Sequence, residues 1–291
     1  MAAGFVFLVG TMKIETPGEA GVTYAPCRYG NSRLFFRGPR RSLDGRYIAF
    51  VGGTETYGRF LATPFPSLVE DRLGVTCVNF GCVNASVDAF LNEPAVLTAC
   101  REAELTVVEI MGAQNLSNRF FTVHPRRNDR FVRASTILRA LYPEIDFSEL
   151  CFTRHLLNKL YQTDPDRFAI LRDELQTAWS ARMYAYLGEI GPRTMLLWFA
   201  THLPSDMPFE TRPNRGWTDP LFITRRMIDS LRPLVRGVVM AQPSVRALER
   251  RGEGLIYPPN QAAAAAGLLG VEAHEEAATA LTGALQSAIA A

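Results

Sequence analysis

The chain has 291 residues and a formal net charge of +2, from 31 Lys and Arg against 29 Asp and Glu. Apolar residues make up 47% and charged residues 21%, a globular composition that excludes disorder and fibrous repeats for the bulk of the chain. The near-neutral balance removes the global electrostatic case for a dedicated nucleic-acid binder.

The apolar run Ala2 to Val9 is short and has no basic flank before it, so it fits neither a signal peptide nor a membrane span. No other run reaches the length of a span, and a soluble protein is expected. The cysteines (Cys27, Cys77, Cys82, Cys100 and Cys151) are odd in number and form no CxxC pair. That pattern favours reduced, mostly buried thiols in a cytoplasmic protein. Neither they nor the four histidines show zinc-ligand spacing, and no metal or cofactor is expected.

A first segment, 1–45, is rich in Gly, Pro and Arg and reads as an extension packed on a single domain, 46–291. Tyr47 to Gly53 is a short apolar run ended by glycines, a buried strand. Pro66 to Leu73 reads as a helix, Thr76 to Phe80 as a strand, Ser86 to Arg101 as one helix, and Leu105 to Met111 as a third strand. The region Ala134 to Leu187 is helical in pattern with no strand candidate. Asp146 or Ser148 could cap one helix there, and Asp164-Pro165 could open another. Arg193 to Ala200 and Val235 to Ala241 are the fourth and fifth strands, and an alanine-rich helix runs from Ala273 to the end. Alternating strands and helices predict a three-layer, flavodoxin-like α/β fold. Its parallel five-stranded sheet would carry a helical insertion, about 134–190, between strands three and four. In such sheets the site lies beyond the carboxyl ends of the strands.

The strand ends carry Gly52-Gly53-Thr54-Glu55-Thr56-Tyr57-Gly58, then Asn79 to Ser86, then Gly112-Ala113-Gln114-Asn115. His274 opens the last helix. In this order they resemble the SGNH or GDSL-like hydrolase superfamily. The block GDSxTxG is matched at Gly52, Thr56 and Gly58, the second block at Asn79 and Gly81, GxND approximately at Gly112 to Asn115, and DxxH only at His274. The departures are specific. Thr54 stands at the serine position, and its extra methyl restricts χ1. Gly53 replaces the preceding aspartate. Val271 replaces the aspartate before the histidine, with Glu272 one position closer. The resemblance implies Thr54 as nucleophile, His274 as its base, and the amides of Thr54 and Gly81 with Gln114 or Asn115 as oxyanion donors. It implies a hydrolase or acyl/group transferase. The alternative is a catalytically inactive protein of the same fold that binds a ligand or partner.

A closer resemblance spans nearly the whole chain from Tyr24. The stretches Pro26 to Gly30, Phe36 to Arg41, Gly112 to Arg119 and Val123 to Phe131 are similar to a family of marine and photosynthetic alphaproteobacteria known only as a domain of unknown function. It implies a cytoplasmic setting and no activity.

Arginines cluster twice. Arg28, Arg33, Arg37, Arg40, Arg41 and Arg46 form one group, and Arg119, Arg126, Arg127, Arg130 and Arg133 the other. The second follows the third strand-end loop, with Asn118 and His124 interleaved, and His202 ends strand four. Guanidinium groups bind carboxylate, phosphate or sulfate bidentately. One reading is therefore a cleft for an anionic small molecule or acidic glycan, lined by Asn118, Arg119, His124, Arg126, Arg127, Arg40, Arg41 and His202. The other is that these arginines pair with acids of the helical insertion. Nucleic acid and membrane are not expected partners. Trp217 lies in a Pro/Arg-rich loop, 203–220, that could cover the site.

Overall fold

Each sheet strand is a run of apolar residues whose alternate side chains feed two different cores. The computed structural model describes residues 21–207 and 217–290. Strands β1 (Tyr47–Gly52), β2 (Thr76–Gly81) and β3 (Leu105–Glu109) precede a two-stranded hairpin, β4 (Phe121–His124) and β5 (Arg127–Ala134). Strands β6 (Thr194–Phe199) and β7 (Gly237–Ala241) follow. The five-stranded sheet has the order β2-β1-β3-β6-β7 with every pairing parallel. This is the flavodoxin-like order, with its crevice at the reversal between β1 and β3.

The helices are α1 (Thr54–Tyr57), α2 (Phe65–Leu73), α3 (Val87–Leu91), α4 (Pro94–Glu102), α5 (Thr136–Leu141), α6 (Thr153–Thr163) and α7 (Pro165–Ile190), followed by α8 (Arg225–Leu231), α9 (Val245–Glu249), α10 (Ala262–Ala265) and α11 (Val271–Ala290). On one sheet face Tyr47, Ala49 and Val51 pack with α3, α4 and α7. On the other, Ile48 and Phe50 pack with Phe65 and Val69 of α2 and the alanines of α11. Small residues let α11 lie close to the sheet, which explains its composition. The segment before β1 joins the first core through Tyr29, Leu34 and Phe36, whose rings meet Phe80 of β2.

Three expectations need correction. The helix from Ser86 to Arg101 is two helices, because Pro94 has no N–H to continue the first and instead opens the second. The hairpin β4–β5 lies where only irregular chain and the start of a helix were expected. Its second strand is too charged to read as an apolar run, and Phe121 and Val123 of β4 with Phe131 and Ala134 of β5 are its buried apolar residues. The thiols are all unpaired, but Cys151 is exposed and Cys27 and Cys82 are half-buried. Asp164 does cap α7, accepting from the Asp166 and Arg167 amides ahead of Pro165. Asp146 caps a single 3-10 turn, Phe147–Glu149. Among the described residues no helix is long and apolar enough to cross a membrane. Residues 1–20, 208–216 and 291, which include half of the expected covering loop, lie outside the described residues.

Arg37 does not reach an anion. It is buried, and its guanidinium donates to the carbonyls of Gly58 (2.6 Å), Leu61 (2.7 Å), Ala62 (2.7 Å) and Tyr57 (3.3 Å). These are the carbonyls that the end of α1 and the following loop leave without helical partners. Arg37→Ala would strand them, and a stability loss of about 3 kcal/mol or more is expected. The check is the urea midpoint, with Arg37→Lys recovering part of the loss.

Candidate functional site

The β1 strand ends against a carboxylate. Glu109, the last residue of β3, directs Oε2 at the loop after β1, where it accepts from Gly53 N (2.9 Å), Thr56 N (3.0 Å) and the Thr56 hydroxyl. Two of the amide donors that a helix start leaves open are thereby satisfied, although the α1 cap residue, Gly53, has no side chain. The sequence argument missed Glu109. Its signal was available, since it is a lone acid within the apolar run Leu105-Thr-Val-Val-Glu-Ile-Met. Burial pushes its pKa up to about 7, and the nearby charge of Glu55 adds to the shift. The Thr56 and Gly53 hydrogen bonds act in the opposite direction.

Thr54 begins α1 and is half-buried at the mouth of this loop. Its hydroxyl accepts from Asn84 N (3.0 Å) and donates to Asn84 Oδ1 (3.3 Å). Asn84, in a left-handed conformation (φ 57°), passes the chain of bonds to Asp129 of the hairpin through its amide (3.1 Å). Among the described residues no base is hydrogen-bonded to the Thr54 hydroxyl.

His274 is the first correction to the expected catalytic set. It is fully buried, stacked on Phe65 and edge-on to Phe199. Its Nδ1 accepts from Phe65 N (3.2 Å), which leaves the proton on Nε2, facing Glu55 Oε2 (3.2 Å). Both ring nitrogens are therefore used, and neither meets Thr54. Glu55 also accepts from Leu269 N (3.2 Å), so the pair ties α11 and its entry loop to α1 and the start of α2. The second correction concerns the oxyanion donors. The Gly81 N–H is taken by Asn79 Oδ1 (2.8 Å). A Cβ at Gly81 would come within 2.3 Å of Tyr57 N, so close backbone approach is what requires glycine there. The Gln114 amide N–H goes to Asp219 (2.7 Å), and that of Asn115 to the Asn84 carbonyl (3.0 Å). The Asn115 oxygen accepts from Thr153 (2.6 Å).

The expected binding residues do not gather at one rim. Arg41 pairs with Glu70 (2.5 Å), which also accepts from Cys77 N at the amino end of β2. Arg40 lies over the Tyr29 ring (5.8 Å) on the same segment. Arg119 pairs with Glu174 of α7 (2.7 Å). Asn118 shapes its own turn, accepting from the Phe120 and Phe121 amides. His124 closes the hairpin turn by accepting from Arg126 N and Arg127 N (3.2 Å each). His202 packs edge-on to Trp198, whose indole donates to its carbonyl (2.6 Å).

Arg126 and Arg127 are exposed at the hairpin turn. Among the described residues their guanidinium groups make no ion pair or hydrogen bond. The next residue, Asn128, is buried and accepts from the Ser86 amide and hydroxyl (2.9 Å each), and Asp129 holds Asn84. The hairpin turn is thus fixed to the loop that holds Thr54. On the far side Asp219 joins Gln114 to Arg154 (2.8 Å), and Trp217 sits among Tyr161, Phe168 and Phe222. Among the described residues no group of three His, Cys, Asp or Glu is placed to hold a metal ion.

A family model described as a domain of unknown function, DUF6473, matches residues 12–289, and the chain belongs to that family. No curated protein matches the chain. Among solved structures, the lipase Lip_vut3 from a goat rumen metagenome is similar at 15% identity, with a TM-score of 0.43 over 82% of this chain and 97% of that one. A carbohydrate esterase family 2 enzyme with a carbohydrate binding domain, from Corynascus thermopiles (Myceliophthora fergusii), is similar at 10% identity. Its TM-score is 0.40 over 88% of this chain and 70% of that one.

The raised Glu109 pKa sets a sign for pH dependence. Between the ordinary carboxyl value of 4.5 and about 7 the folded protein keeps a proton that the unfolded chain has released. Stability therefore falls as pH rises through that window, by on the order of 3 kcal/mol. Glu109→Gln, which cannot ionise, is expected to flatten this slope in melting temperatures measured from pH 4.5 to 7.5.

Proposed function

We propose that, in this member of the DUF6473 family, the carboxyl end of the sheet is a binding cleft for an acidic, hydroxyl-bearing small molecule such as an acidic sugar. In this reading the cleft does not carry out acyl transfer through Thr54 and His274. The observation that carries the proposal is the state of His274, with Nδ1 held by a backbone amide and Nε2 by Glu55. Nucleophilic attack by a hydroxyl needs a base within hydrogen-bond reach, itself free to take the proton. Among the described residues the Thr54 hydroxyl is hydrogen-bonded to an asparagine alone.

The anionic part of the proposal is supported by Arg126 and Arg127. Among the described residues their guanidinium groups are without partners, on a turn locked to the Thr54 loop by Asn128 and Asp129. Such groups recognise a carboxylate or phosphate bidentately. The pairing of Arg41, Arg46 and Arg119 with glutamates favours this turn over those three positions.

Two measurements test the proposal. With short p-nitrophenyl esters, the unsubstituted protein and Thr54→Ala are expected to show the same background rate. Turnover that disappears with Thr54→Ala overturns the non-catalytic reading. In calorimetric titration with glucuronate, the double variant Arg126→Ala/Arg127→Ala is expected to bind at least about tenfold more weakly, the loss of one charge-assisted contact. Unchanged affinity removes the arginines from the site.

A further inference from the structure

The two edges of the main sheet are finished differently. At the β2 edge the outward amides meet side chains, Cys77 N donating to Glu70 Oε2 (2.7 Å) and Gly81 N to Asn79 Oδ1 (2.8 Å). At the other edge β7 pairs with β6 alone. Among the described residues no hydrogen bond from another segment reaches the backbone of Gly237–Ala241, although both flanking residues, Arg236 and Gln242, make such bonds. Val239 and Ala241 point into the core under α11. On the opposite face Val238 is half-buried and Met240 is 36% exposed. Open edges of this kind are usually blocked by charge, proline or a bulge. The strand Gly237-Val-Val-Met-Ala carries no charge and no proline.

The flanking charges indicate what pairs there. Arg236, just before β7, is exposed, and its guanidinium donates to the Ala288 carbonyl (2.5 Å) near the end of α11. Among the described residues it meets no acid. Glu276, in the first half of α11, accepts from Ser244 N (2.7 Å) and Ser244 Oγ (2.6 Å) just beyond the other end of β7. Among the described residues it meets no cation. Ala288 and Glu276 lie 12 residues apart on α11, which is about 18 Å of helix, so the two charges do not meet within one chain.

We propose that the β7 edge is a dimerisation site, where β7 of a second copy of this chain adds in antiparallel orientation. Two antiparallel copies of one strand are related by a two-fold axis perpendicular to the sheet, so every contact is made twice and the interface closes on itself. The two five-stranded sheets become one, with both α11 helices on the same face. Arg236 at the start of one β7 then stands at the far end of the other, where the second copy holds its own Glu276. On the opposite face Val238 and Met240 of the two copies cover each other. A parallel partner strand would set Arg236 beside Arg236 and leave Glu276 unanswered.

Sedimentation velocity of the full chain tests this, over a concentration series reaching a few hundred micromolar. A dimer whose share grows with concentration is expected. Met240→Lys brings like charges together near the two-fold axis, and Arg236→Glu sets two acids against each other. Each is expected to raise the dissociation constant at least about tenfold. Glu276→Arg alone is expected to do the same. The double variant Arg236→Glu/Glu276→Arg is expected to restore the dimer, a rescue that damage to the fold would not give. A chain that stays monomeric throughout the series overturns the proposal, as does a dimer that neither Met240→Lys nor Arg236→Glu weakens. A double variant as weak as the single ones overturns the antiparallel arrangement.

Discussion

The short helix Thr54–Tyr57 is gripped at its two ends by buried groups of opposite charge. A helical turn leaves N–H groups open at its start and carbonyls open at its end. Here the carboxylate of Glu109 takes the amides of Gly53 and Thr56, and the guanidinium of Arg37 takes the carbonyls of Tyr57 and Gly58. Four residues cannot sustain a helix on their own account. The loop after β1 therefore has a defined shape only because β3 and the segment before β1 supply one charge each. The position of Thr54, the close packing of Gly81 against Tyr57, and the contact of Glu55 with His274 all follow from that clamp.

A second consequence concerns His274. A histidine at the start of the last helix, in a chain with the strand-end motifs in this order, suggests a general base. Packing puts it to another use. Phe65 and Phe199 enclose the ring, an amide occupies one nitrogen, and the glutamate following Thr54 occupies the other. Replacing the expected aspartate by Val271 is consistent with this. Nothing orients the imidazole toward Thr54, and the acid that does meet it comes from the opposite end of the domain.

Much of the fold was legible because its strands are contiguous apolar runs closed by glycine or a polar loop, and because Asp164-Pro165 is an unambiguous helix start. The hairpin escaped notice because seven residues of β5, Arg127-Asn-Asp-Arg-Phe-Val-Arg, hold only two apolar side chains, so period-two alternation has little to display. The candidate site was half legible. The strand-end rule correctly marked Thr54, Asn84 and the third loop as neighbours. The partners of each side chain were not visible, since they lie far away in sequence: Glu55 with His274, Asn84 with Asp129, Gln114 with Asp219. The arginine clusters misled for a related reason. Proximity in sequence placed them on one rim, while the parallel sheet sends residues before a strand and residues after it to opposite ends of the molecule. Arg46, before β1, accordingly meets Glu104, before β3.

The two ends of the clamp differ in kind. Arg37 keeps its charge at any pH a protein meets, and its carbonyl partners have no proton to give or take. Glu109 changes state near neutrality. Around pH 7 the loop carrying Thr54 thus alternates between two electrical conditions. In one, a buried negative and a buried positive charge face each other across a turn of helix; in the other, only the positive charge remains. The backbone need not move for this to happen. The charge beneath the loop thus depends on the proton that Glu109 carries, and the affinity of this surface for charge becomes a property of the β3 strand end as well as of the arginines on the hairpin.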